Sequence, residues 1–133
     1  MLPLSNKTKV CYLGDLARLS NCLSIVLTET HLSDSVVNAE VNIPGYTLYR
    51  SDRVGRTHGG TCVFVRDDLA AQLLLSHSNS VCESLVVKVK TLDLILVSIY
   101  RPPDSEAINV CQDVIAKAME KDPKLKTILQ FRD

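Results

Sequence analysis

Two neighbouring runs, Ser84 to Lys90 and Leu92 to Tyr100, constrain the fold more than any other part of the chain. In the first, Leu85, Val87 and Val89 alternate with Val86, Lys88 and Lys90, the period of two expected of a strand with one covered face. The second is richer in apolar residues and predicts a more deeply buried strand, joined to the first as a hairpin through a turn near Thr91. Pro102-Pro103 cannot continue a central strand, because proline has no amide to give to the ladder. Asp104 or Ser105 then suits a helix N-cap. Beyond it Ala107, Ile108, Cys111, Val114, Ile115, Ala118 and Met119 form an apolar stripe, with Glu106, Asn109, Gln112, Asp113, Lys117 and Glu120 opposite. That spacing predicts an amphipathic helix stopped near Pro123, followed by a strand from Lys126 to Phe131.

The first half alternates in the same way. Val10, Leu13, Leu16, Ala17 and Ser20 recur at helical spacing between Lys7 and Asn21, predicting a helix laid on a sheet, which Gly14 weakens by roughly 1 kcal/mol relative to alanine. Leu23 to Leu27 is short and nearly unbroken in its apolar character, as in a strand covered on both faces, and ends in Thr28-Glu29-Thr30-His31. Ser33 to Asn42 reads as loop, Pro44-Gly45 as a turn, and Tyr46 to Arg50 as a strand. A polar, glycine-containing loop from Ser51 to Gly60 precedes a strand at Thr61 to Arg66, closed by Asp67-Asp68. A weaker strand is expected over Ala71 to Leu75, with Ser76 to Ser80 as a polar connector. Several adjacent strands mixed with helices place the chain among layered α/β or α+β sandwiches.

With 133 residues, 46% of them hydrophobic, residues 1–133 are expected to form a single domain around one core. Fifteen basic and fifteen acidic residues cancel, so a polyanion partner would have to be met by a local cluster. Cys11, Cys22, Cys62, Cys82 and Cys111 are odd in number and contain no Cys-x-x-Cys pair. This argues against a disulfide framework or zinc site and for reduced core thiols in an intracellular protein, nuclear or cytoplasmic. The residues after Met1 turn polar too early for a secretory leader, and no apolar run approaches the roughly 18 residues of a membrane span.

Glu29 stands at the mouth of a buried strand, where a rigid element can hold a carboxylate for metal or base chemistry, although strand ends also commonly carry solvated charges. Tyr100 occupies the corresponding place after the Leu92 to Ile99 run, either to hold a phosphate oxygen or to cap the core with its ring. Arg50, Arg53 and Arg56 gather near His58 and Gly59-Gly60, and guanidinium forks suit phosphate oxygens, with Asp52 partly offsetting them. His31 and His77 have no partners at metal-ligand spacing. No phosphate-cradling glycine loop or dinucleotide fingerprint is present.

In order along the chain, Asn6-Lys7, Leu27-Thr28-Glu29-Thr30 with Leu32, Pro44-Gly45-Tyr46, Arg50-Ser51-Asp52-Arg53, Gly59-Gly60, Glu83-Ser84-Leu85 and Tyr100-Arg101-Pro102-Pro103 form a pattern. It resembles the endonuclease/exonuclease/phosphatase domain of LINE-type (non-LTR) retrotransposons, which is similar to apurinic/apyrimidinic endonucleases. The resemblance covers nearly the whole chain. It implies a DNase I-like two-sheet α/β sandwich that nicks DNA phosphodiester bonds with a divalent metal, usually Mg2+. It makes Glu29 the metal-ligand carboxylate and Tyr100 the active-site tyrosine beside the scissile phosphate, and it strengthens Arg50, Arg53 and Arg56 as DNA-backbone contacts.

The same resemblance implies a partial copy, with the family's first strand and C-terminal half missing. Where the family places Gly-Asp-Phe-Asn, this chain reads Ile128-Leu129-Gln130-Phe131-Arg132-Asp133, and the spacing of Asp133 does not support transfer of the role. Positioned groups in a phosphodiesterase act as a unit, so the chain alone is expected to be inactive. A non-catalytic module that binds nucleic acid or protein, and a non-functional fragment, are the alternatives. Uncovered sheet edges would favour self-association.

Overall fold

The computed structural model describes residues 4, 7–55, 58–78, 82–100, 116–117, 120 and 126–132. Helix α1 (Lys7–Ser20) leads into strands β1 (Ser24–Thr28), β2 (Tyr46–Ser51), β3 (Thr61–Arg66), β4 (Ala71–Ser78), β5 (Glu83–Val89), β6 (Leu94–Tyr100) and β7 (Lys126–Arg132). Two sheets result, one ordered β1-β3-β2 and the other β4-β5-β6-β7. Every pairing is antiparallel except β6 with β7, which is parallel. A parallel pair needs a long crossover, and residues 101–125 provide the connection. The helix predicted there lies outside the described residues apart from Ala116, Lys117 and Glu120, which are helical.

The period of two in β3 assigns its side chains to two cores. Cys62 and Phe64 face the layer that holds α1, with Val10, Leu13, Ala17, Leu27, Ile43 and Tyr46, while Val63 and Val65 face the second sheet, with Leu85, Val87, Val89 and Leu96. A third cluster, Cys82, Val86, Ile95, Val97 and Ile99, covers the outer face of the second sheet. The faces of β1 are covered as the sequence predicts, Ile25 and Leu27 toward α1 and Val26 toward the second sheet. It is nonetheless the outer strand of its sheet, and Ser24 to Val26 are half-buried. No helix among the described residues is long and apolar enough to cross a membrane.

Several local expectations change. The stripe of α1 is narrower than predicted, since Leu16 is exposed, and Cys11, expected to be a core thiol, is exposed as well because it lies one residue round the helix from buried Val10. The hairpin forms, with its turn as a short 3-10 segment over Lys90–Leu92, but Val86, assigned to the polar face of β5, is fully buried in the outer cluster. Ser76 to Ser78 are the end of β4 and not a connector, paired with Leu85, Ser84 and Glu83. Ladder bonds are made by backbone groups whatever the side chain, and the polar groups here find partners: the Ser76 hydroxyl donates to the Arg50 carbonyl at 3.2 Å, and Ser51 donates to the His77 carbonyl at 2.8 Å.

Phe64 is completely buried and joins α1 to the first sheet, whereas Ile95 is buried in the outer cluster. Phe64→Ala is expected to cost about 3–5 kcal/mol and Ile95→Val about 0.5–1.5 kcal/mol, measured by urea unfolding of the two variants. The Tyr46 hydroxyl donates to the Cys22 carbonyl and lies 3.7 Å from the Cys22 Sγ, and burial, then the contact with that thiol, push its pKa up from 10.0 to about 12. A raised folded pKa stabilises while the phenol is protonated: the contribution is complete below pH 10 and is lost as pH rises toward about 12. Tyr46→Phe should therefore give a flatter stability profile above pH 10, read from denaturation at a series of alkaline pH values.

Candidate active site at the polar end of the sandwich

At one end of the inter-sheet layer the apolar contacts give way to polar ones. Thr28, Thr61 and Ser51 lie in register across the first sheet, and Glu83 opposes Tyr100 in the second. The Thr61 hydroxyl donates to the Leu27 carbonyl at 3.0 Å and contacts the Ser98 hydroxyl of the facing sheet. These short side chains leave room between the sheets for the longer groups beyond them.

Glu29 follows directly on β1 and Tyr100 ends β6. Although 71 residues apart, they meet: the Tyr100 hydroxyl donates to Glu29 Oε1 at 2.8 Å. Burial raises the Tyr100 pKa above 10.0, the Glu29 hydrogen bond and charge add to that, and the Arg53 guanidinium works against it. The phenol is therefore protonated, and able to donate, throughout the neutral range. Arg53 Cζ lies 5.4 Å from the centroid of the Tyr100 ring, a cation–π placement.

Beneath this pair is Glu83, whose side chain is 1% exposed. Its Oε1 accepts from Arg53 Nε at 2.9 Å and from the Gly60 amide at 2.8 Å. Arg53 is itself only 10% exposed, so the two charges neutralise each other in the interior, although Arg53 Nη2 is buried there without a hydrogen-bond partner. The glycines make this possible. A Cβ on Gly59 would sit 2.4 Å from both Arg53 Nε and Glu83 Oε1, and one on Gly60 would sit 2.7 Å from Thr30 Oγ1; both residues have positive φ. The same pair of glycines holds the segment after β1, through Thr30 N–H to the Gly60 carbonyl at 3.4 Å and His31 N–H to the Gly59 carbonyl at 2.9 Å.

Glu29, His31 and His58 adopt φ of 56°, 57° and 67°, the left-handed region that costs a non-glycine residue about 1–3 kcal/mol. Such outliers gather at functional sites, where surrounding structure over-determines them. His31 and His58 touch, with Nδ1 atoms 3.4 Å apart and rings edge to face at 4.5 Å. Burial, then the charge of His58, lower the His31 pKa below 6.5. The sequence gives His31 no partner because the contact spans 27 positions.

Of the residues singled out from sequence, the structure thus brings together Glu29, Tyr100 and Arg53. Arg50 stands apart. Its guanidinium donates to the Val36 and Ser33 carbonyls at 2.7 and 2.9 Å, to Asn38 Oδ1 at 3.1 Å and to Asp52 at 2.7 Å, which makes it a brace for the loop before β2. Asp52, seen in sequence as an offsetting charge, is its partner. Arg56 and Asp133 lie outside the described residues. Glu83 received no role from sequence, although a carboxylate opening an otherwise apolar strand was the available signal.

Among the described residues no group of three or more His, Cys, Asp or Glu side chains converges on a metal position. Glu29 alone fits Mg2+ as one hard oxygen ligand, since that ion keeps several waters and is bound through one or two carboxylates plus phosphate oxygens.

No protein-family model and no curated protein matches the chain. Solved structures do. The human Nocturnin catalytic domain with bound sulfate superimposes with a TM-score of 0.61 at 10% identity, over 95% of this chain and 56% of that one. Caenorhabditis elegans TDP2 gives 0.60 at 13% identity, over 96% of this chain and 42% of that one. A Bacteroides thetaiotaomicron endonuclease/exonuclease/phosphatase family protein gives 0.58 at 12% identity, over 93% and 54%. This chain has the endonuclease/exonuclease/phosphatase fold. At these identities the likeness concerns the fold alone, and the chain spans about half the length of the structures it matches. Within that fold Glu29 and Tyr100 come from different sheets and close one end of the sandwich.

The Arg53–Glu83 pair gives a direct test of the site's foundation. Arg53→Met, which strands a buried carboxylate, should cost on the order of 3–5 kcal/mol, and Arg53→Met/Glu83→Leu should recover much of it. Chemical denaturation of the single and double variants measures the coupling; strictly additive losses would show that the two residues do not interact.

Proposed function

We propose that this chain is part of a Mg2+-dependent nuclease domain of the LINE-type retrotransposon kind, cutting DNA phosphodiester bonds, in which Glu29 holds the metal and Tyr100 faces the scissile phosphate. The observation that carries this reading is the Tyr100 to Glu29 hydrogen bond, which joins the two sequence-predicted site residues across the sandwich. When bound, magnesium would stabilise negative charge on the leaving oxygen. Glu29 supplies a hard oxygen at a fixed backbone position. Tyr100, kept protonated by burial and by Glu29, orients that carboxylate with its single O–H, and its hydroxyl can turn that proton to a phosphate oxygen instead once Glu29 holds the metal. Arg53, pinned by Glu83 under the ring, holds the phenol in place and contributes positive potential from below.

The proposal includes inactivity of these residues by themselves. They make up about half the length of the matched structures, and each positioned group absent from such a site removes about 3–4 kcal/mol of transition-state stabilisation. A D. rerio TDP2 structure that holds a single-strand DNA product superimposes with a TM-score of 0.50 at 15% identity, over 100% of this chain and 57% of that one, and supports DNA as the ligand class. Because Arg50 and Arg53 are committed to internal partners, the phosphate in this reading is met mainly at Glu29, through the metal, and at Tyr100.

Mn2+ used as a paramagnetic substitute for Mg2+ should bind the protein and lose that binding in Glu29→Ala, while neither protein nicks supercoiled plasmid. Equal binding by both would remove Glu29 from the metal site. Magnesium-dependent nicking by the wild type that disappears in Glu29→Ala would overturn the inactivity and retain the nuclease assignment.

A further inference from the structure

Near the Glu29–Tyr100 pair, and independent of the role proposed for it, we infer that His31 and His58 form a two-imidazole chelate for a borderline transition ion such as Zn2+, Ni2+ or Co2+. Their Nδ1 atoms face each other at 3.4 Å. With metal–nitrogen bonds of about 2.0–2.1 Å, nitrogens at that separation subtend an angle of roughly 110° at the ion, the tetrahedral value. The rings meet edge to face and do not stack, with centroids 4.5 Å apart and planes at 75°, so a small rotation of each turns both Nδ1 lone pairs to a common point.

The pair is held in place by the backbone. His31 and His58 sit at φ of 57° and 67°, and the His31 amide donates to the Gly59 carbonyl at 2.9 Å, which ties the two segments together immediately beside the rings. The strain at both positions is met by the protein before any ion arrives, so binding need not order the ligands. Access is open, since His58 is exposed and His31 half-buried. Water completes the coordination. Without an ion, one Nδ1–H donates to the other Nδ1; on binding, the donor ring carries its proton on Nε2 instead, and both Nδ1 lone pairs face the metal.

The ligand type separates this position from the one proposed at Glu29. Imidazole nitrogens suit Zn2+, Ni2+, Cu2+ and Co2+, whereas Mg2+ requires hard oxygen and dehydrates reluctantly. Excess magnesium therefore does not compete for the histidines. His77, on β4, takes no part in the pair.

The test is titration with Co2+ in the presence of millimolar Mg2+, followed by visible absorption and calorimetry. The wild type and His77→Gln are expected to bind one Co2+ without thiolate charge-transfer bands. His58→Gln and His31→Gln should each weaken binding by at least about tenfold, and Glu29→Ala should retain it within about threefold. Unchanged affinity in His58→Gln, or a thiolate band pointing to Cys11 or Cys22, would overturn the proposal. Loss in Glu29→Ala with retention in His58→Gln would also overturn it and place the ion on the carboxylate. Far-UV circular dichroism of each variant establishes that a lost site is not a lost fold.

Discussion

A carboxylate buried at one end of a sandwich has to be neutralised where it stands, and the arrangement around Glu83 follows from that requirement. An uncompensated charge in the interior costs several kcal/mol, so Arg53 must fold inward from its loop and the Gly60 amide must turn toward the same oxygen. Those two contacts bring the loop before β3 down onto the second sheet. The loop in turn offers its Gly59 and Gly60 carbonyls to the segment after β1. One buried charge thereby links three stretches of chain that the strand ladders do not join.

The site rests on that link. Arg53 lies under the Tyr100 ring because Glu83 holds its other side, and Tyr100 reaches Glu29 because the residues after β1 are held at positive φ against the glycine pair. Strained backbone, absent side chains at Gly59 and Gly60, and a hydrogen bond across the two sheets belong to one construction. Its polar groups stand at the end of an otherwise apolar inter-sheet layer. The His31–His58 contact is a product of the same loop closure.

Much of this was legible in the residues, for reasons that vary with the element. The β3 segment and the hairpin of β5 and β6 could be located because the period of two and the apolar density are local properties. The end of β4 could not, since Ser76, His77 and Ser78 are held by backbone pairing and by hydroxyl bonds to a different sheet. Val86 looked solvent-facing beside Lys88 but is covered by the outer cluster. Arg50 and Arg53 illustrate the same limit among charged residues. Both sit in an arginine-rich loop, yet one braces residues 33–38 and the other neutralises Glu83, a choice made by partners distant in sequence.

The sequence by itself determined where the first helix and most of the strands form, most of their apolar faces, and that Glu29 and Tyr100 stand at strand ends, because periodicity and side-chain type act over a few residues. Tertiary structure alone decided that Tyr100 meets Glu29, that Glu83 is the hidden anchor of Arg53, and that His31 finds His58. Each of these contacts joins residues from 27 to 71 positions apart, and the strand register and the stacking of two sheets, set by the packing of the whole core, bring them within bonding distance.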